Sequence, residues 1–512
     1  MKAFQIESPI KVVQARANPR ASAAILGVAF DSVTSDETVQ RIEGMIASGM
    51  PHFIATANVD FVVQAQHDEE LRRILSEADL VLCDGTPLVW ASRLVGRALP
   101  ERVAGADVVP RLIEVAAEKD FRIFLLGASE EAAMAAERNL RARFPQLNLV
   151  GHYSPPFKPL LEMNHEEIRN RIAAAKPDIL LVAFGCPKQE KWIAMHYRSL
   201  GVPVAIGVGA TIDFLGGRVK RAPVWMQRSG TEWIYRLAQE PRRLFKRYAS
   251  DLVVFGSKFL IQLCLTRSKA AASADAASVT LRTNGWLHLA FAERLDAATV
   301  EACGGVIEQV LSDRRDCILN LSEVRKADGS GVALLMHLQR EMKKQGRMMI
   351  LTSVSSRLRR VLRFMGVLEF FDVAEDIQAA RRVRESRRQE SAYPVTGLTP
   401  LIWQGAVTVS NAEEVFTATE SRAALLESGD VQIDFSRVRF VDSAGAGMLR
   451  RLDDSLNRSG KRLVLTGVSE TVCNVLRFAR VDDLAVRELR PRVFALDRNN
   501  ASDLVFSRQP GV

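Results

Sequence analysis

Several of the devices that announce a protein's compartment or chemistry are missing from this chain of 512 residues. Its six cysteines, at positions 83, 186, 264, 303, 317 and 473, form no CxxC pair and keep no ligand spacing with the histidines. That excludes a disulfide scaffold or a cysteine-histidine metal site and predicts reduced thiols, as in cytoplasm. The stretch from Met1 to Arg20 is basic but holds no continuous apolar segment, so no secretory leader is expected. Nor does any apolar run reach the length that crosses a bilayer: the nearest, Leu252 to Leu265, is interrupted by Gly256, Ser257, Lys258 and Gln262. No helix-turn-helix, RNP-like or zinc-finger pattern accompanies the net charge of +9, which argues against a nucleic-acid partner. A full GxGxxG and a P-loop are absent too. These absences leave a multidomain protein, soluble or lying on a surface, whose 47% hydrophobic content supports fully packed cores.

What is present begins with an alternation of strand-like and helix-like runs over residues 22–217. Ala24 to Phe30, Phe53 to Ala57, Leu80 to Leu82, Arg122 to Gly127, Ile179 to Phe184 and Val204 to Val208 read as strands. Asp36 to Ser48, Phe61 to Ala78 and Glu130 to Phe144 read as helices. The pattern predicts an α/β fold with a mainly parallel, Rossmann-like sheet, and such sheets bind ligands at the carboxyl ends of their strands. Asp84 closes one strand and Thr56-Ala57-Asn58 closes another, while Gln189 follows a third and Asp213 lies soon after a fourth. Taken alone, Asp84 before Pro87 reads equally well as a helix cap. Arg102, in a loop ahead of a helix, is either a surface ion pair or an anion ligand.

The positive charge is concentrated. Between Arg218 and Ser250 the chain carries Arg218, Lys220, Arg221, Arg228, Arg236, Arg242, Arg243, Lys246 and Arg247 against Glu232 and Glu240. Trp225, Trp233, Tyr235, Phe245 and Tyr248 are interleaved with them. Basic residues mixed with interfacial aromatics suit an anionic membrane surface or a phosphate-rich ligand.

Six ordered motifs then carry a resemblance: TANVD at 56–60, CDGTP at 83–87, ERVAGADV at 101–108, FGCPKQEKW at 184–192, GVGATIDFLGG at 207–217 and the basic aromatic run at 221–248. In these the chain resembles the bacterial glycosyltransferases of the WecB/TagA/CpsF type, glycosyltransferase family 26. The resemblance implies inverting, metal-independent transfer of a sugar, N-acetylmannosamine-like or another hexose, from a UDP-sugar to a polyprenyl-diphosphate-linked sugar, in exopolysaccharide or cell-surface glycan synthesis. It implies Asp84 as general base, with Thr56, Arg102 and Gln189 lining the reaction centre. Asn58, Tyr153 and Asp213 are implied near the nucleotide, and Arg221, Arg236 and Arg243 at the diphosphate. The donor is a substrate and no cofactor is expected. The implied location is cytoplasmic, peripheral at the inner face of the membrane.

Beyond a small-residue linker lies an internal repeat: Leu321 to Phe371 aligns without gaps on Phe435 to Ala485, pairing Asp328 with Asp442 and Gly331 with Gly445. Both copies resemble STAS domains, the anti-sigma-factor-antagonist fold, through LSEVRKADGSGVALL at 321–335 and FSRVRFVDSAGAGML at 435–449. The resemblance implies small α/β modules that bind proteins or nucleotides rather than catalyse, with protein partners expected here. In that family the serine after the motif aspartate can be phosphorylated, which makes Ser443 of the second copy the expected site, whereas the first has Gly329 there and Ser330 one place later. Ser443 is expected to be exposed at the start of a helix from Ala446 to Asn457. The organisation expected is an N-terminal extension over 1–22, a transferase core over 23–217, a basic appendage over 218–265, a linker over 266–277, one STAS domain over 278–385, a linker over 386–399, a second STAS domain over 400–495 and a tail over 496–512. A catalytically silent signalling adaptor is the competing expectation; loss of Asp84, Arg102 and Gln189 would have favoured it, and all three are in place.

Overall fold

In the computed structural model the described residues are 22–481, apart from 220, 240, 267–276, 283–285, 398, 427–429 and 480. The expected N-terminal extension up to residue 21, nearly all of the first linker and the tail lie outside them. The first unit is built on β3 (His52–Ala57), β4 (Leu80–Cys83), β5 (Ile123–Gly127), β6 (Leu149–Tyr153), β7 (Ile179–Ala183) and β8 (Val204–Gly207). They form one six-stranded sheet in the order β4-β3-β8-β7-β5-β6, parallel throughout. Successive side chains of a strand leave on opposite faces, so each strand feeds two cores: Phe53, Ala55, Leu180 and Val182 enter one, and Ile54, Ile179 and Leu181 the other. Helices α1 (Ser35–Ser48), α2 (Val59–Gln64), α3 (Glu69–Glu77), α4 (Thr86–Ser92), α5 (Gly105–Lys119), α6 (Glu130–Arg143), α7 (His165–Ala175), α8 (Lys188–His196) and α9 (Thr211–Leu215) complete this unit.

Two expectations are corrected here. The apolar run Ala24 to Phe30 is not a strand of the main sheet but a hairpin, β1 (Ser22–Ile25) and β2 (Val28–Asp31), turning at Leu26 and Gly27, both at positive φ. The helix expected from Phe61 to Ala78 is broken, because the Asp68 side chain accepts from the Leu71 amide and so caps a new helix, α3.

The basic segment folds as α10 (Val224–Ser229), α11 (Glu232–Gln239) and α12 (Pro241–Thr266). This last helix is longer than the apolar run within it: Leu244–Thr266 is long and apolar enough, by length and composition, to span a bilayer. One face is nevertheless taken by protein, since Phe255 and Phe259 enter the core beside α2 and the buried Gln262 amide bonds the backbone of Ala24 and Leu26. Leu252, Val253, Leu260 and Ile261 face outward.

The two repeats follow. The first comprises β9 (Ala277–Arg282), β10 (Trp286–Phe291), β11 (Arg294–Leu295), α13 (Ala297–Ala302), α14 (Gly304–Ser312), β12 (Asp316–Asn320), β13 (Lys326–Ala327), α15 (Gly329–Lys344), β14 (Met349–Thr352), α16 (Ser356–Phe364), β15 (Asp372–Ala374) and α17 (Ile377–Ala392). Its sheet runs β15-β14-β12-β10-β9, with only β9 antiparallel. The second comprises β16 (Val395–Thr396), β17 (Leu401–Val407), α18 (Ala412–Ala423), β18 (Val431–Val441), α19 (Ser443–Arg458), β19 (Leu463–Thr466) and α20 (Glu470–Phe478), with sheet order β16-β17-β18-β19. The motif aspartates do the same local job in each copy: Asp328 caps α15 and Asp442 caps α19 through their side-chain oxygens.

Candidate active site

The carboxyl ends of β4, β3, β8 and β7 are neighbours in the sheet, and the residues that follow them converge on one rim. Asp84 is fixed there through its own amide, which donates to Ala57 O, and Val103 ties to Cys83 O, bringing the Arg102 loop alongside. The cap of α4 is the backbone of Gly85, with no side-chain hydrogen bond, so the Asp84 carboxylate is not spent on capping. It is half-buried, reached by solvent yet densely surrounded by protein. Burial pushes its pKa up to about 6, with Arg102 and Arg236 opposing and Glu232 and Asp107 reinforcing the rise.

Around this carboxylate stands an ion network that draws the appendage onto the rim. Arg102 donates to Asp107 at 2.7 Å and to Glu232 of α11 at 2.9 Å. Arg221 donates to the other Asp107 oxygen at 2.7 Å and to Ala106 O at 3.1 Å. Arg236 lies over the Phe214 ring, near enough to Asp84 to lower its pKa. The turn between α10 and α11 presses on Thr86: a Cβ on Gly230 would fall 2.5 Å from the Thr86 methyl. The rim beside Asp84 is therefore flanked by cationic side chains already arranged around carboxylates.

Thr56, Asn58 and Gln189 are at the rim but occupied. Thr56 Oγ1 donates to Gly207 O at 2.8 Å, and Asn58 caps α2 through its side-chain oxygen. Gln189 is buried with both ends of its amide engaged: Oε1 accepts from Gly185 and Gly209, and Nε2 donates to Glu190 Oε1 at 2.6 Å. It staples the loops after β7 and β8, so its amide positions the rim. Burial drives its neighbour Glu190 up to about 7, with the Gln189 bond opposing. Asp213 lies on α9, beside the same rim and half-exposed.

Of the remaining expected residues, one lies at the far edge of the sheet, one has its side chain outside the described residues, and the exposure expected of Ser443 is corrected. Tyr153 ends β6, at the opposite edge of the sheet from β4, five strand spacings or roughly 24 Å away. Its hydroxyl donates to Glu167 and its ring lies under Arg171, so it faces α7 at the far end of the rim. Arg243 falls on α12, and its side chain is outside the described residues. Ser443 does open a helix, yet it is buried, not exposed, because that helix start is docked against α3. Sequence reasoning passed over Asp107 and Glu232, although both were legible as acids inside the basic and ERVAGADV motifs; what joins them to Arg102 is a long-range contact. Among the described residues no three histidine, cysteine or acidic side chains are grouped to hold a metal.

Comparison with known proteins bears on this geometry. Residues 23–269 match the Glycosyl transferase WecG/TagA/CpsF family, residues 278–380 the STAS domain and residues 402–490 the Mlab, STAS domain. The N-acetylglucosaminyldiphosphoundecaprenol N-acetyl-beta-D-mannosaminyltransferases of Staphylococcus aureus strains MW2 and NCTC 8325 are each 32% identical over 234 residues, covering 45% of this chain and 90% of theirs. Among solved structures, the anti-sigma factor antagonist SpoIIAA in its unphosphorylated form matches at 23% identity over 22% of this chain and 97% of its own, with a TM-score of 0.19.

Proposed function

Because this chain belongs to the WecG/TagA/CpsF family of glycosyltransferases and carries two STAS domains behind the transferase, we propose that it moves a sugar from a UDP-sugar to a polyprenyl-diphosphate-linked acceptor such as the N-acetylglucosaminyl lipid of its relatives. The observation that carries the proposal is the uncapped Asp84 carboxylate flanked by cationic side chains. In this scheme an acceptor hydroxyl gives its proton to Asp84 while its oxygen bonds the anomeric carbon from the face opposite the diphosphate. The bond from that carbon to the diphosphate oxygen breaks, and the configuration inverts. The departing charge is met by Arg102 and Arg221, whose present carboxylate partners a diphosphate would displace, and by Arg236, and this reading assigns no step to a metal or cofactor. N-acetylmannosamine is the sugar the relatives' names suggest; Asp213 and Asn58 are proposed beside the nucleotide.

The acceptor's lipid tail asks for a membrane surface, and the appendage offers one: Trp225 is 66% exposed, Phe245 67% and Leu252 73%. We place the protein at the inner face of the cytoplasmic membrane, held by this segment, with protein partners reached through the STAS domains. Phosphorylation of Ser443 belongs to the same proposal and requires α19 to leave its present contact first.

The test is turnover of Asp84→Asn with a UDP-sugar and a short-chain lipid diphosphate sugar. The variant should lose about 10²–10⁴-fold in kcat for want of a proton acceptor. In the wild type, protonation of Asp84 removes the base, so kcat/KM should fall as pH drops through about 6. Wild-type turnover by the Asn variant would overturn the assignment.

A further inference from the structure

Both STAS domains meet the transferase with the start of the helix that follows the motif aspartate. In the second, that helix start holds an anion supplied by the transferase itself. Glu70 of α3 accepts from the Ser443 amide through Oε1 at 2.6 Å and from the Ser443 hydroxyl through Oε2 at 2.6 Å. Lys191 of α8 lies 2.8 Å from Glu70 Oε2 and 2.8 Å from Asp68 Oδ2, and all four residues are buried. A 16-residue helix with a carboxylate on its first amide and first hydroxyl is an occupied anion site.

We propose that Glu70 is the internal ligand of the second STAS domain and that this contact is a separable latch, closed in this structure, through which that domain steers the transferase. Separability follows from what surrounds the latch. Close to it, the Arg73 guanidinium lies over the Phe440 ring at 4.4 Å and Met195 only fringes the second domain's core. Beyond that, a cavity of about 630 Å³ opens between the transferase and the two STAS domains, lined by Arg73, Arg340, Lys343, Thr408, Asn411 and Arg439 among others. Space and polarity of that order hold water in quantity, so much of this interface is wet. Steering follows from Lys191. It shares one turn of α8 with Gln189, which staples the rim loops, and with Glu190, on which Gln189 leans. A negative charge at Ser443 would face Glu70, with Asp68 close by and Lys191 already paired to both carboxylates, and the latch would open.

The steering half rests on the transferase proposal; the latch half does not, and the experiment separates them. Small-angle scattering and hydrogen exchange are recorded on the full chain as wild type, Ser443→Asp, Glu70→Lys, and Ser443→Asp with Glu70→Gln. Ser443→Asp should enlarge the radius of gyration and speed exchange in α3 and α8 about tenfold. Glu70→Lys, which leaves the second domain's own sequence intact, should do the same by presenting a cation to the helix start. Neutralising Glu70 should restore closure to the Ser443→Asp chain. Wild-type scattering and exchange in both single variants, or an opening by Ser443→Asp that Glu70→Gln does not relieve, would overturn the latch. Opening with unchanged UDP-sugar turnover, in a preparation whose Asp84→Asn control is impaired, would overturn the steering.

Discussion

The two STAS domains are copies of one module docked on the same transferase with the same element, yet the helix start of each is held by different means. The first is joined by close backbone and apolar packing at the helix start and by ion pairs further along: Ala24 of the hairpin lies in its core, the Gly329 amide donates to Val95 O at 2.9 Å, Arg340 donates to Ala78 O, and Lys343 and Lys344 pair with Glu77 and Asp79. A Cβ at 329 would fall 2.7 Å from Ala24 O and 2.8 Å from Val95 O, so the missing side chain is the condition of the fit. The second keeps its serine and is held by a carboxylate. The difference teaches that a one-residue change at a helix start separates a close backbone contact from one made by a carboxylate.

That contrast can be broken from the first domain's side. Gly329→Ser drives a side chain into two carbonyls that cannot retreat, and the chain should lose about 3 kcal/mol of stability in chemical denaturation. A smaller loss is expected from Gln262→Leu. Its amide bonds both Leu26 N and Ala24 O out of water, and orphaning that pair should cost about 2 kcal/mol, read as an earlier midpoint in the same denaturation. The finest comparison is between the serines. Ser443→Ala removes a hydroxyl bonded to Glu70 and should cost about 1 kcal/mol, whereas the buried Ser330 hydroxyl finds no partner among the described residues and Ser330→Ala should change the midpoint by roughly 0 kcal/mol. Equal effects for the two would erase the distinction between the interfaces.

Much of the transferase sheet was legible because its strands are short, continuous apolar runs, and the rim followed from where those runs stop at Thr56 and Asp84. The hairpin was not, since Leu26-Gly27 turns inside a stretch that is apolar throughout. The break at Asp68 was hidden because buried residues keep helical spacing on both sides of it. At the site, the acid at a strand end was readable, but the partners of Arg102 and both ends of the Gln189 amide depend on contacts between distant segments. Burial of Ser443 depends on a docked domain, which no local pattern encodes.

Gln262 has one more consequence. By holding the end of α12 against β1, it sets the point where the chain enters the transferase beside the point where it leaves. A domain whose two ends nearly touch is a closed cassette: it can be hung on a neighbouring module, or spliced into one, without any loop having to stretch across its body. A STAS domain joined at that junction packs on the surface beside the seam, where Ala24 enters its core.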